Sequence, residues 1–141
     1  MKVGAPVFGL NTQGEVMGRI RSDILINGHK RWALYDSGAR HSYIVDDAAA
    51  TLDVKDLPVQ RTTALGGKTH TVRQVCLVFA DVDGHPLDFE ANVVDEIGSD
   101  EDGRRIEVLF GALAMQAWGL KLDPKNERID WSHFSTDLVE F

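Results

Sequence analysis

Cysteine occurs once in the 141 residues, at Cys76, so the chain cannot form an internal disulfide and must be held together by packing. Val75, Leu77, Val78 and Phe79 surround that thiol and no cation or histidine stands beside it, which reads as a buried structural cysteine and not a nucleophile. Eighteen consecutive apolar residues occur nowhere, and Met1-Lys2-Val3-Gly4-Ala5-Pro6 carries one cation without an apolar run of signal length. The expectation is a cytoplasmic protein that does not enter the membrane. Bases are outnumbered 15 to 22 and are scattered, leaving a formal charge of −7. Phosphate binding draws on clustered Lys and Arg, so a nucleic-acid surface is not expected.

Ligand constellations are missing too. The five histidines, His29, His41, His70, His85 and His133, show no metal spacing on one element and read as solvent-facing or structural. Asp81, Asp83, Gly84 and Glu90 fit positions three, five, six and twelve of a calcium loop, but position one is Phe79, which has no side-chain oxygen. No Gly-x-Ser-x-Gly elbow surrounds Ser37, and His41 four residues later does not make it a serine nucleophile. No metal or cofactor is expected.

What the chain does hold is an ordinary globular composition, 43% apolar and 26% charged, in a length that makes one domain. A domain near 150 residues buries about 68–70% of its unfolded surface, enough for a core without staples. Its focal stretch is Trp32-Ala33-Leu34-Tyr35-Asp36-Ser37-Gly38-Ala39-Arg40-His41-Ser42-Tyr43-Ile44. A run able to sit as a strand buried on both faces ends abruptly in an acid, and a carboxylate there costs several kcal/mol unless donors or a second group compensate it. Chemistry is one reason to keep it; a satisfied turn acid is the other. Trp32, Tyr35 and Tyr43 read as core, with a substrate pocket as the second use.

In chain order, residues 1–15 form a polar lead. Val16 to Ile26 alternates as a strand anchored by Met17, Ile20, Ile24 and Ile26, and Asn27-Gly28 signals a two-residue hairpin turn. The return strand Lys30 to Tyr35 delivers Asp36. Asp46 and Asp47 are placed to cap a short helix through Leu52, and Pro58 marks the next boundary. Val59 to Thr63 and His70 to Phe79 read as strands around the glycine turn Leu65-Gly66-Gly67-Lys68, and a further hairpin runs from Leu77 to Val94 across Asp83-Gly84. The five acids of Asp95 to Asp102 read as a solvated loop, with an acidic recognition patch as the alternative. Ala112 to Trp118 is a helix stopped by Gly119; Ile129 and Trp131 close a last strand. The tail 132–141, with Phe134, Leu138, Val139 and Phe141, is apolar enough to suggest packing on a partner chain.

Two ordered stretches carry a family resemblance. Tyr35-Asp36-Ser37-Gly38-Ala39, followed by polar and aliphatic residues, resembles the catalytic strand of the retropepsin-like aspartic proteases. Val108-Leu109-Phe110-Gly111, followed by the helix Ala112-Leu113-Ala114-Met115-Gln116-Ala117-Trp118, resembles their second landmark. Lys121 to Asp130 is similar to the closing strand, turn and strand of short stand-alone bacterial members, so the resemblance spans residues 16–131.

It implies a mainly β, closed retropepsin-like barrel of a single lobe, with one or two short helices. It implies an aspartic endopeptidase in which two carboxylates share one proton, their unequal affinities arising from repulsion at close range; aspartic proteases are the standing example. This chain has one Asp-Ser-Gly, since Asp83-Gly84 and Asp102-Gly103 lack the hydroxyl residue. The implied site is therefore a homodimer's pair of Asp36 residues. Asp36, Ser37 and Gly38 would be catalytic. Gly38, Ala39 and Arg40 would bind substrate backbone, with Leu65, Gly66 and Gly67 above as a flap. Viral members carry Arg and Asp or Asn after the glycine equivalent to Gly111; Ala112 and Leu113 cannot build that polar network. A catalytically weak or silent peptide-binding or dimerisation module is the alternative.

Overall fold

The first hairpin turns on the two residues in the sequence best suited to positive φ, Asn27 (52°) and Gly28 (77°), between β1 (Arg19–Ile26) and β2 (His29–Asp36). The computed structural model describes residues 19–138 and 140; Val16, Met17, Val139, Phe141 and the polar lead lie outside the described residues. Hairpin register runs from Ile26 opposite His29 to Arg19 opposite Asp36. The remaining strands are β3 (Ser42–Val45), β4 (Val54–Leu65), β5 (Lys68–Val82), β6 (His85–Val94), β7 (Gly98–Ser99), β8 (Arg105–Ile106), β9 (Val108–Phe110), β10 (Lys121–Asp123) and β11 (Arg128–Asp130).

Seven of them form one sheet in the order β1-β2-β9-β3-β6-β5-β4. Leu25 and Ile26 of β1 also pair with Asp81 and Ala80 of β5, so the sheet bends round into a ring. The expected barrel is present as this ring, joined on one side by a two-residue contact. β9 lies between β2 and β3, parallel to the first and antiparallel to the second. Its Val108, Leu109 and Phe110 are all buried. Inside the ring, Tyr35 and Phe89 pack on Phe110 with ring centres 5.3 and 4.7 Å away, amid Ile24, Ile26, Ile44 and Val78. Burying such side chains is worth about 1.5–3 kcal/mol each. Cys76 joins this core, and burial pushes its thiol up to about 11.

Three local expectations change. Asp46 and Asp47 do not cap α1 (Asp46–Ala49): Val45 holds the N-cap position, and the Asp47 carboxylate turns instead to Arg105 at 2.9 Å. Pro58 does not end an element, because β4 runs through it as the outer strand, with the pairing interrupted between Asp56 and Arg61. Asp95 to Asp102 is no free loop but leads into the β7–β8 hairpin. There Asp100, its side chain 2% exposed, accepts from the Asp102 and Arg104 amides and the Trp32 indole and faces Arg21 at 3.3 Å. At Asp83-Gly84 the chain makes a hairpin turn in which Asp81 accepts from the Gly84 amide.

α2 (Ala112–Trp118) ends as expected at Gly119, whose φ is 72°. A Cβ at Gly119 would meet the His133 carbonyl, because the tail crosses there. Trp131 follows β11 and stacks on His85 at 3.9 Å, while Phe134 packs edge-on against both. The tail's Phe134 is thus used within its own chain, whereas Leu138 is exposed. No helix among the described residues is long and apolar enough to cross a membrane.

Candidate active site

Asp36 ends β2, and the chain turns at once beneath it. The Ala39 amide donates to the Asp36 carbonyl at 3.1 Å and the Gly38 amide to Asp36 Oδ1 at 2.8 Å. A Cβ at Gly38 would stand 3.1 Å from that oxygen, a tight contact that the carboxylate would have to yield to. The other oxygen, Oδ2, lies 3.5 Å from Nε of Arg19, brought opposite by the hairpin register. The carboxylate is 13% exposed.

The two stretches that carried the resemblance are tied together by backbone. Ala39 and Arg40 carbonyls accept from the Ala112 and Leu113 amides at 2.7 and 3.1 Å, satisfying groups that a helix start leaves open. The Gly111 amide donates to Ser42 Oγ at 2.9 Å. A Cβ on Gly111 would collide with the His41 carbonyl oxygen. Here backbone, not the side chains of Ala112 and Leu113, anchors the acid loop. Among the described residues this leaves the Gly38 carbonyl and the Arg40 amide without a partner in the chain.

Asp36 shares a cavity of about 320 Å³ with Leu65 and Gly66. Leu34, Ile97, Ile106 and Leu109 form its apolar wall. Gly67 is not among the residues that line the cavity. Ser37, Gly38, Ala39 and Arg40 form the neighbouring loop and do not line this cavity. Besides its apolar wall, four ionisable lining residues were not among the expected site residues: Arg19, Lys68, His70 and Glu96. Counting back from Asn27-Gly28 would have found Arg19; Lys68 and His70 follow from which face of β5 turns inward, and Glu96 lies in the link between β6 and β7. His70 is buried with Nδ1 2.9 Å from Asp95 Oδ1, and that contact holds Asp95 below the usual carboxylate range. Glu96 is gripped through both oxygens by Arg105.

A second cavity, about 940 Å³, lies farther along the same β4–β5 hairpin, where Arg61, Thr63 and Val72 line it. His41, Tyr43, Arg61, Thr63, Asn92 and Trp118 are among its lining residues. The Tyr43 hydroxyl bonds Thr63 at 2.8 Å and Arg61 donates to Asn92 at 2.9 Å. Of the three aromatics near the acid, Tyr35 is core, Tyr43 reaches this cavity, and Trp32 is held between Asp100 and the Arg104 guanidinium.

Residues 22–113 match the family model described as aspartyl protease. No curated protein sequence matches the chain. Among solved structures, the retroviral protease-like domain of Ddi1 from Leishmania major is similar with a TM-score of 0.58 at 18% identity, over 82% of this chain and 89% of that one. The EIAV protease complexed with the inhibitor HBY-793 is similar with a TM-score of 0.48 at 22% identity, over 74% and 92%.

Proposed function

The chain belongs to the retropepsin-like aspartyl protease family, and from that membership we propose that it is an aspartic endopeptidase acting as a homodimer on extended peptide segments. The observation that carries the proposal is the orientation of Asp36. One oxygen is fixed by the Gly38 amide, and the carboxyl group lines a cleft roofed by Leu65 and Gly66. A single carboxylate cannot both take and give a proton in one step, so the site is completed by the Asp36 of a second copy across a two-fold axis.

In that pair one carboxylate is ionised and the other protonated. The ionised group takes a proton from water as its oxygen adds to the peptide carbonyl carbon, while the protonated group gives its proton to the carbonyl oxygen. Collapse of the tetrahedral species breaks the C–N bond as the nitrogen is protonated, and the pair returns to one shared proton. Ser37 stands beside the acid to steady the pair of loops. The Gly38 carbonyl and Arg40 amide, without a backbone partner among the described residues, can pair with substrate main chain. The flap Leu65, Gly66 and Gly67 covers it from above. With two cavities following one another along the hairpin, a segment several residues long has room beyond the acid.

The test is Asp36→Asn. The variant is expected to keep its fold and association while losing at least a thousandfold in cleavage of a degenerate peptide library; equal rates in variant and parent would sink the enzyme reading. One contact favours the silent module: Arg19 sits on Oδ2, the oxygen left for a second carboxylate. If peptides bind but are never cut from pH 4 to 7, that reading replaces the first.

A further inference from the structure

The cations around the Asp36 cavity are not all paired. Four ionisable side chains besides the acid line it, Arg19, Lys68, His70 and Glu96, and Arg105 stands behind Glu96, between it and Asp47. Arg19 is paired with Asp36, Glu96 with Arg105, and His70 with Asp95. Lys68 has no acidic partner among the described residues. It is an unpaired cation in a molecule whose formal charge is −7.

The hairpin dictates where that cation stands. Leu65 and Lys68 face each other across Gly66-Gly67, so their side chains share one face of the ribbon, and His70 two residues on shares it too. Leu65 and His70 are buried on the cavity side, which fixes the side of Lys68. Lys68 therefore rises at the rim of a pocket whose wall is Leu34, Leu65, Ile97, Ile106 and Leu109. A side chain entering beside the scissile bond meets apolar surface along its stem and an unneutralised ammonium at its end.

We propose that Lys68 sets substrate preference: the side chain taken into the Asp36 cavity is one with a methylene stem and a terminal carboxylate, glutamate ahead of glutamine and of aspartate. This rests on the endopeptidase reading for its cleavage arm only. A lysine ammonium paired with a carboxylate at a partly enclosed rim gains from reduced solvent screening, and salt weakens it. Glutamine fills the same space without the charge, so the Glu-to-Gln ratio isolates the contribution of Lys68.

The test uses capped octapeptide libraries, acetylated and amidated so that side chains supply the only carboxylates, with one position fixed as Glu or as Gln and the cut located by mass spectrometry. The full-length chain is expected to cut next to Glu about fivefold more efficiently than next to Gln, the ratio shrinking at high salt. Lys68→Met should bring the ratio to one, and Lys68→Glu should turn it in favour of a lysine library. A ratio unchanged by Lys68→Met overturns the proposal while leaving the endopeptidase reading intact. If nothing is cut, the endopeptidase reading fails, and fluorescent Glu and Gln peptides titrated onto Asp36→Asn still decide this one: equal affinities refute it, tighter Glu binding that Lys68→Met abolishes supports it.

Discussion

Gly111 is the residue on which the acid loop closes. It is buried, its amide is spent on Ser42, and the atoms that a methyl group would strike are the backbone carbonyls of His41 and Ala39, which cannot swing away as a side chain could. Gly111→Ala is expected to cost at least about 2 kcal/mol, as overpacking against rigid surroundings does. A urea melt reads it, and a midpoint equal to that of the parent would contradict this account of the loop. Cys76 gives a second test at the same scale. A thiol 3% exposed and pushed up to about 11 by burial is neutral and shielded at pH 8. Iodoacetamide should leave it untouched in the native chain and modify it within minutes in denaturant; prompt native labelling would mean that β5 opens.

Among the elements, the β7–β8 hairpin depends most on charge. Burial alone would push the Asp100 carboxyl up, yet the Arg104 amide, the Trp32 indole, the Asp102 amide and the Arg21 charge together hold it below the ordinary range. A carboxyl depressed by folding gives its full stabilisation above the unfolded value near 4 and loses it as pH falls through the lower folded value. Melting temperatures between pH 7 and 3 should therefore fall further in the parent than in Asp100→Asn; parallel curves would remove Asp100 from the acid response. This element also marks how far the sequence could be read. Asn27-Gly28, Gly119 and the Asp36 stretch were legible because each is local: a turn, a helix stop, a strand end. The acid run was not, because what orders it is Arg21 and Trp32, about seventy to eighty residues away in the chain. Pro58 misled for a related reason. Proline breaks a central strand but is tolerated on an outer one, and strand order cannot be counted from local pattern. Lys68 and His70 sat in plain view, yet only the register across Gly66-Gly67 shows that they look down on the acid.

For the molecule as a whole, a surplus of seven negative charges works against pairing of two copies. Added salt screens that repulsion, so sedimentation should find a larger dimer fraction at 500 mM than at 20 mM NaCl, and activity per chain should fall on dilution. A dimer fraction that drops with salt would mean that opposite charges hold the copies together instead. One feature of the strand order bears on when such a molecule becomes competent. β9, which lies alongside the acid-bearing β2, comes more than seventy residues later in the chain. A ribosome that has delivered Asp36, and even the glycine hairpin, has not yet delivered the strand that completes the floor under them. Pairings of such long separation are slow to form, so a half-made chain carries the acid without the means to use it, and its own synthesis acts as a timer on its chemistry.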